Sequence, residues 1–179
     1  MRRPRKGFLV EWSFFFALAG GMAACGYHVA GRGSHLPAEG KVLAVPAFEN
    51  RTMQFRIEQK LTAAVIREFI SRTRYRVVME EEGADAVLRG EVTRVSTSPI
   101  VFDPGTGKAS TVVITINANV RLLDRHTKQI LFLGEGLVFR ESYEVTSDVN
   151  SFFQEQDPAF DRLARDFAAT LVSAVLENF

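Results

Sequence analysis

The chain has 179 residues, with 22 lysines and arginines against 21 aspartates and glutamates, three histidines and a single cysteine. This near balance of charge excludes the broad basic field on which nucleic-acid binding depends, so no nucleic-acid partner is expected. One cysteine excludes an internal disulfide framework.

The chain opens on a positive block, Arg2, Arg3, Arg5 and Lys6, followed by an apolar region interrupted by Glu11 and Ser13. From Phe14 to Ala24 no side chain is polar, a run of 11 residues. A bilayer core requires roughly 20 apolar helical residues, so the run is about half of a span. A basic start, a short apolar middle and small residues before a cut describe a secretory signal over residues 1–24. The competing reading is an uncleaved anchor over Phe8–Ala24. Ala23-Ala24-Cys25-Gly26 resembles a bacterial lipobox, where the signal is cut between Ala24 and Cys25 and the cysteine is diacylated. Met22 stands where leucine is usual and keeps its bulk and apolarity. Ala17-Leu18-Ala19 offers an ordinary cleavage site that leaves Cys25 a free thiol, and a small buried hydrophobe is a third reading. Lipidation accounts for both the position and the solitude of Cys25. Gly26, in place of the aspartate of inner-membrane retention, points to the outer membrane. The expected anchor is a diacylglycerol and an N-acyl lipid (palmitate) on Cys25, and several acyl chains hold stably at about 0.8 kcal/mol per buried CH₂.

Removal of residues 1–24 leaves 155 residues with 18 basic and 20 acidic side chains, enough for one domain. Residues 25–40, with Gly26, Gly31, Gly33, Pro37 and Gly40, read as a lipidated tether, and residues 41–179 as a single domain. Lys41–Pro46 is a strand stopped by its proline. Glu49–Thr52 is a turn with a helix cap. Residues 54–72 are an amphipathic helix, with Ile57, Leu61, Ala64, Val65 and Phe69 at helical spacing. Tyr75–Met79 is a short strand, broken by Glu80-Glu81-Glu82-Gly83. That carboxylate run reads as a solvated turn in preference to a metal site.

Ala84–Thr97 is the next strand, with Ala86, Leu88, Gly90 and Val92 on one face. Ser98–Ser110 reads as a loop. Thr111–Asp124 alternates: Val112, Ile114, Ile116, Ala118, Val120 and Leu122 share one face, and Thr115, Asn117, Asn119 and Arg121 the other, the mark of a half-buried strand. Gln129–Tyr143 carries Leu131, Leu133, Leu137 and Phe139 on one face and Ile130, Phe132 and Val138 on the other. It reads as a strand apolar on both faces, antiparallel to the one before it. After a variable connection, Asp157-Pro158 is a helix start, aspartate as cap and proline in the first turn. Phe160, Leu163, Ala164, Phe167, Ala168, Leu171, Val175 and Leu176 then recur at helical spacing. The expected fold class is α+β, a two-layer sandwich of a mixed four- to five-stranded sheet with two amphipathic helices on one face.

No catalytic constellation emerges. His28, His35 and His126 have no second ligand at metal spacing, and no metal site is expected. Gly105-Thr106-Gly107-Lys108 lacks the spacing and the following helix of a phosphate loop, and reads as a hairpin turn. An enzyme is not expected.

The chain resembles the lipopolysaccharide-assembly lipoprotein family, LptE. The resemblance is carried by Cys25-Gly26-Tyr27-His28 with Leu36-Pro37, by VPAFENRT (45–52), ADAVLRGEV (84–92), VVITINANVRLLD (112–124) and FRESY (139–143), in that order and spacing. It implies an outer-membrane lipoprotein on the periplasmic face that plugs the lumen of a large β-barrel partner, LptD, helps that barrel assemble and helps lipopolysaccharide reach the surface. It implies no cofactor beyond the lipid on Cys25. Relatives bind lipopolysaccharide through basic residues near the 98–110 segment. Here Asp103 follows Ile100-Val101-Phe102, so Lys108, Arg94 and Arg140 are the expected phosphate-binding cations. The competing reading of each is a solvated surface charge. An outer-membrane activator of a peptidoglycan synthase is the alternative function. It fits less well with a tether of about 15 residues, which reaches at most about 50 Å.

Overall fold

The computed structural model of the chain describes residues 42–145 and 149–177; Cys25 and the expected signal and tether lie outside them. The elements are β1 (Val42–Ala44), β2 (Glu49–Asn50), α1 (Ile57–Arg72), β3 (Arg76–Val78), β4 (Ala86–Phe102), β5 (Ala109–Asp124), β6 (Ile130–Glu144) and α2 (Val149–Glu177). The strand order is β3-β1-β4-β5-β6, with the two-residue β2 also on β4. β1 runs parallel to β3 and β4, β2 runs parallel to β4, and β4-β5-β6 is an antiparallel meander. The parallel pair β1–β3 needs a crossover, and α1 supplies it.

The alternation of β5 builds the core directly. Its six alternate apolar residues, Val112 to Leu122, are all buried, and Leu43, Val45, Leu88 and Val92 join them from the neighbouring strands. Ile57, Leu61, Val65 and Phe69 of α1 and Phe160, Leu163, Phe167, Leu171 and Val175 of α2 close over that same face. Each such side chain contributes roughly 1.5–3 kcal/mol on full burial. Phe167 is the hub: its ring meets Phe139 at 4.8 Å and Phe48 at 6.1 Å between centroids, both edge to face. Salt bridges from Lys60 to Asp157 (3.1 Å) and Asp161 (2.5 Å) tie the two helices together. The architecture is the expected two-layer α+β sandwich.

Four local expectations are corrected. The segment Ser98–Ser110 is not a loop: β4 runs to Phe102 and β5 restarts at Ala109, with pairs Ser98↔Val113, Pro99↔Val112 and Phe102↔Ala109. Pro99 is tolerated because β4 has no outer neighbour there among the described residues. The turn that remains is held by Asp103, whose Oδ1 accepts the N–H groups of Gly105 (3.0 Å) and Thr106 (2.7 Å) and the Thr106 hydroxyl (2.9 Å).

The second helix does not start at Asp157-Pro158. It begins at Val149, and Pro158 lies inside it. The Asp157 carboxylate is engaged by Lys60 in place of a capping role. The first helix starts at Ile57, three residues later than expected from its period, because Arg56 before it is left-handed, φ 60°, with no side-chain cap.

β6 is not apolar on two faces in the expected grouping. The register slips between Val120↔Gly134 and Ala118↔Leu137, and Gly136 takes φ 61°. This bulge inserts one residue and reverses the alternation. Phe132 and Phe139, an odd number of residues apart, therefore both face the helices and are buried, while Leu133 and Val138 are exposed on the opposite face.

Candidate functional site

With the helices on one side, the other side of the sheet is open. It is built by the second set of alternating residues in β5: Val113, Thr115, Asn117, Asn119 and Arg121. Register places their neighbours. Arg94 of β4 and Val138 of β6 flank Asn117; Ser96 and Arg140 flank Thr115; Arg89 and Leu133 flank Arg121.

Two of the three expected cations come together. Arg94 and Arg140 lie on opposite sides of β5 and two residues apart along it, so their Cα atoms are about 12 Å apart from the spacing and rise of strands. Neither makes an ion pair among the described residues. Lys108 stands apart in the turn, about 20 Å along the strand from the row of Arg140. Its carbonyl accepts the Asp103 N–H at 2.8 Å. Cys25 and the expected Ala24–Cys25 cleavage site lie outside the described residues. Arg121, which the period puts on the open face but which had no assigned role, is a further cation there without an ion pair among the described residues.

Towards the other end of the face the charges are spent on one another. Arg89 grips Glu81 with two bonds, Nε to Oε1 at 2.7 Å and Nη2 to Oε2 at 2.5 Å. The Arg89 guanidinium holds the Glu81 carboxyl below its usual range. Arg51 bridges Glu91 (2.6 Å) and Glu49 (3.1 Å). A shallow cleft of ≈ 500 Å³ opens between these pairs, Arg121 and Leu133. Asn119 Oδ1 accepts the Gly136 N–H at 2.8 Å, which clamps the β6 bulge that sets Leu133 and Val138 outward.

The open face offers amide, guanidinium and apolar groups for binding. His126 Nε2 is 3.0 Å from Asp85 Oδ1, but Asp85 Oδ2 accepts the Val42 N–H at 2.8 Å, so the pair stitches β1 to the β5–β6 turn. Among the described residues no group of three His, Cys, Asp or Glu side chains is placed to hold a metal ion. No helix among them is long and apolar enough to cross a membrane.

A family model described as LptE, lipopolysaccharide-assembly, matches residues 41–175. The chain belongs to the LptE family. Solved structures of similar fold include protein XCC0632 of Xanthomonas campestris, 16% identical with a TM-score of 0.53, covering 81% of this chain and 89% of that one. The rare lipoprotein B of Shewanella oneidensis is 13% identical with a TM-score of 0.52, covering 74% of this chain and 92% of its own. A lipoprotein of Caulobacter crescentus is 15% identical with a TM-score of 0.51, covering 73% and 88%. At these identities the likeness is one of fold. No curated protein matches the chain. The family membership makes this a lipopolysaccharide-assembly protein, and its LptE domain is the described sandwich.

Proposed function

We propose that the chain is an outer-membrane lipoprotein that plugs an LptD-like β-barrel and helps it assemble for lipopolysaccharide insertion at the cell surface. Residues 1–24 are removed, Cys25 carries the acyl chains, residues 25–40 are the tether, and the domain stands on the periplasmic face of the membrane. The observation that carries the reading is the open sheet face of an LptE-family domain. One side of the sheet is sealed by two helices, while the other presents Asn117, Asn119, Arg94, Arg121 and Arg140 with exposed Leu133 and Val138. A polar face with scattered apolar side chains suits the inner wall of a wide barrel, where alternate strand residues are polar. The strand ends at Ile100-Val101-Phe102 leave three more apolar side chains exposed beside it. Arg94 and Arg140, near each other and without an ion pair among the described residues, offer charge-assisted hydrogen bonds to lipopolysaccharide phosphates; Lys108 offers a separate contact at the turn.

The test is to tag the C-terminus, extract membranes in mild detergent and identify what co-purifies. A stoichiometric outer-membrane β-barrel is the expected result. A peptidoglycan synthase in its place, or a chain with no partner, overturns the proposal. Cys25→Ser is expected to shift the chain out of the membrane fraction.

A further inference from the structure

The outer edge of β4 is paired only in part. β1 pairs it at Ala86 and Val87, and β2 at Glu91 and Val92; among the described residues no strand pairs it beyond that point. The β6 edge is longer, but it is bent by the bulge at Gly136 and carries Glu135, Arg140, Glu141 and Glu144, features that discourage strand pairing. On the β4 edge the register slips and Pro99 bound the stretch from Arg94 to Ser98 without interrupting it, and Arg94 is its one charged residue.

Which backbone groups face out follows from the register. The Val92 carbonyl accepts the Arg51 N–H at 3.0 Å, so Val92 turns its groups to the outer side. The register slip between Val92 and Arg94 then moves the alternation by one residue. Val95 and Thr97 become the next residues with outward N–H and C=O groups. Pro99 follows in the same phase and has no N–H, so the edge stops offering donors there.

The edge also has a wall. The segment between β2 and α1 runs beside it and leaves a groove of ≈ 360 Å³ lined by Met53, Arg94, Val95 and Thr97 among others. Met53 is 103% exposed and Phe55 78%. The segment holding them is pinned: Asn50 Oδ1 accepts the Thr52 N–H (2.9 Å) and hydroxyl (2.7 Å), and Asn50 Nδ2 donates to the Gln54 carbonyl (2.8 Å) and Glu58 (2.9 Å). A rigid segment that keeps two large apolar side chains in water lowers the ordering cost of docking. No carboxylate lines the groove. Arg51 there is neutralised by Glu49 and Glu91, whereas Arg94 makes no ion pair among the described residues. Arg56, equally unpaired, lies over the Phe55 ring at 5.2 Å.

We propose that the outer edge of β4 from Arg94 to Ser98 is a strand-addition site that takes an extended acidic segment of a partner protein. The added strand pairs with the outward groups of Val95 and Thr97. Its apolar side chains rest on Met53 and its carboxylates face Arg94, both in the groove lining, with Phe55 and Arg56 following Met53 in the same pinned segment. Backbone bonds supply affinity, and the alternate side chains supply selectivity. The site shares Arg94 with the open sheet face, but its backbone bonds use the strand edge and not that face, so it stands whether or not the barrel partner is found.

The experiment uses the full chain in detergent and a blocked decapeptide alternating glutamate and valine, with its lysine–valine counterpart as control. Hydrogen exchange is read at single amides. The expected result is saturable binding of the acidic peptide, with exchange at Val95 and Thr97 slowed by about tenfold or more. Thr97→Pro removes an outward donor while leaving the bonds to β5, and is expected to abolish that binding. Met53→Ser with Phe55→Ser, at exposed positions that do not support the fold, is expected to weaken it about tenfold or more. Equal binding of the lysine peptide, binding without protection at Val95 and Thr97, or no binding of the acidic peptide at millimolar concentration overturns the proposal.

Discussion

Gly90 gives the sharpest test of how the sheet and the core fit together. A Cβ built at Gly90 lies 2.4 Å from Phe48 Cε2, 2.5 Å from Cδ2 and 2.6 Å from Cζ. These are ring atoms of a side chain that is itself 3% exposed. The ring cannot swing aside, because Phe167 sits 6.1 Å from it and is in turn held 4.8 Å from Phe139. The backbone under it is also fixed: the Phe48 N–H donates to Thr62 Oγ1 at 3.0 Å, and the Thr62 hydroxyl donates to the Glu58 carbonyl at 2.6 Å. Gly90→Ala is therefore an overpacking change. Such changes cost about 1–3 kcal/mol, which outweighs the roughly 0.5–1 kcal/mol that alanine gains over glycine in a strand interior. The net loss is expected at about 1–2 kcal/mol, or a fall in Tm of several degrees for a domain of this size. Urea unfolding followed by circular dichroism measures it. The decisive comparison is Phe48→Leu alone and in combination with Gly90→Ala, since a smaller side chain at 48 makes room for the new methyl. The double variant is expected to lose less than the sum of the singles, with a coupling of about 1 kcal/mol or more. A strictly additive cycle, or a Gly90→Ala chain as stable as the parent, would refute the close approach.

Further expectations concern the core hub, the open face and the acid limit. Phe167→Ala removes the ring that joins both aromatic contacts and is expected to cost about 3–5 kcal/mol in urea unfolding. Gly136→Ala places a side chain in the left-handed region and is expected to cost about 1–2 kcal/mol, with faster hydrogen exchange across the β6 bulge. Arg94→Glu with Arg140→Glu is expected to weaken lipopolysaccharide binding in a pull-down more than Lys108→Glu does, because two adjacent cations act together; equal losses refute that pairing. The Glu81 carboxyl is held below its ordinary pKa of 4.5, first by the hydrogen bond from Arg89. A lowered carboxylate pKa contributes stability that is complete above the ordinary value and is lost as pH falls through the folded one. Glu81→Gln is thus expected to flatten the decline in urea midpoint below about pH 4.5 and to leave its shape near neutrality unchanged.

The parts of this protein legible in its sequence are those that a single segment encodes. The alternation of β5 from Val112 to Leu122 states which face is buried, because a strand sends successive side chains to opposite sides whatever its neighbours are. The apolar stripes of Ile57–Phe69 and Phe160–Val175 state in the same way that two helices must share a core. The order of short motifs from Val45 to Tyr143 states the family. Tertiary structure decided what depends on a partner. Whether Ser98–Phe102 is loop or strand turns on the ladder it makes with Ala109–Val113, and its proline and glycine content misleads because an edge tolerates what a central strand does not. Which side of β6 carries Phe139 turns on one residue inserted at Gly136, and no period within the segment reveals that slip. The start of α2 is decided likewise, since Asp157 is drawn to Lys60 of the other helix. The candidate site divides along the same line. The family resemblance points to Arg94, Lys108 and Arg140, but only register brings Arg94 and Arg140 to one patch and leaves Lys108 at the turn. A period is a property of one chain segment, whereas register and pairing are properties of two.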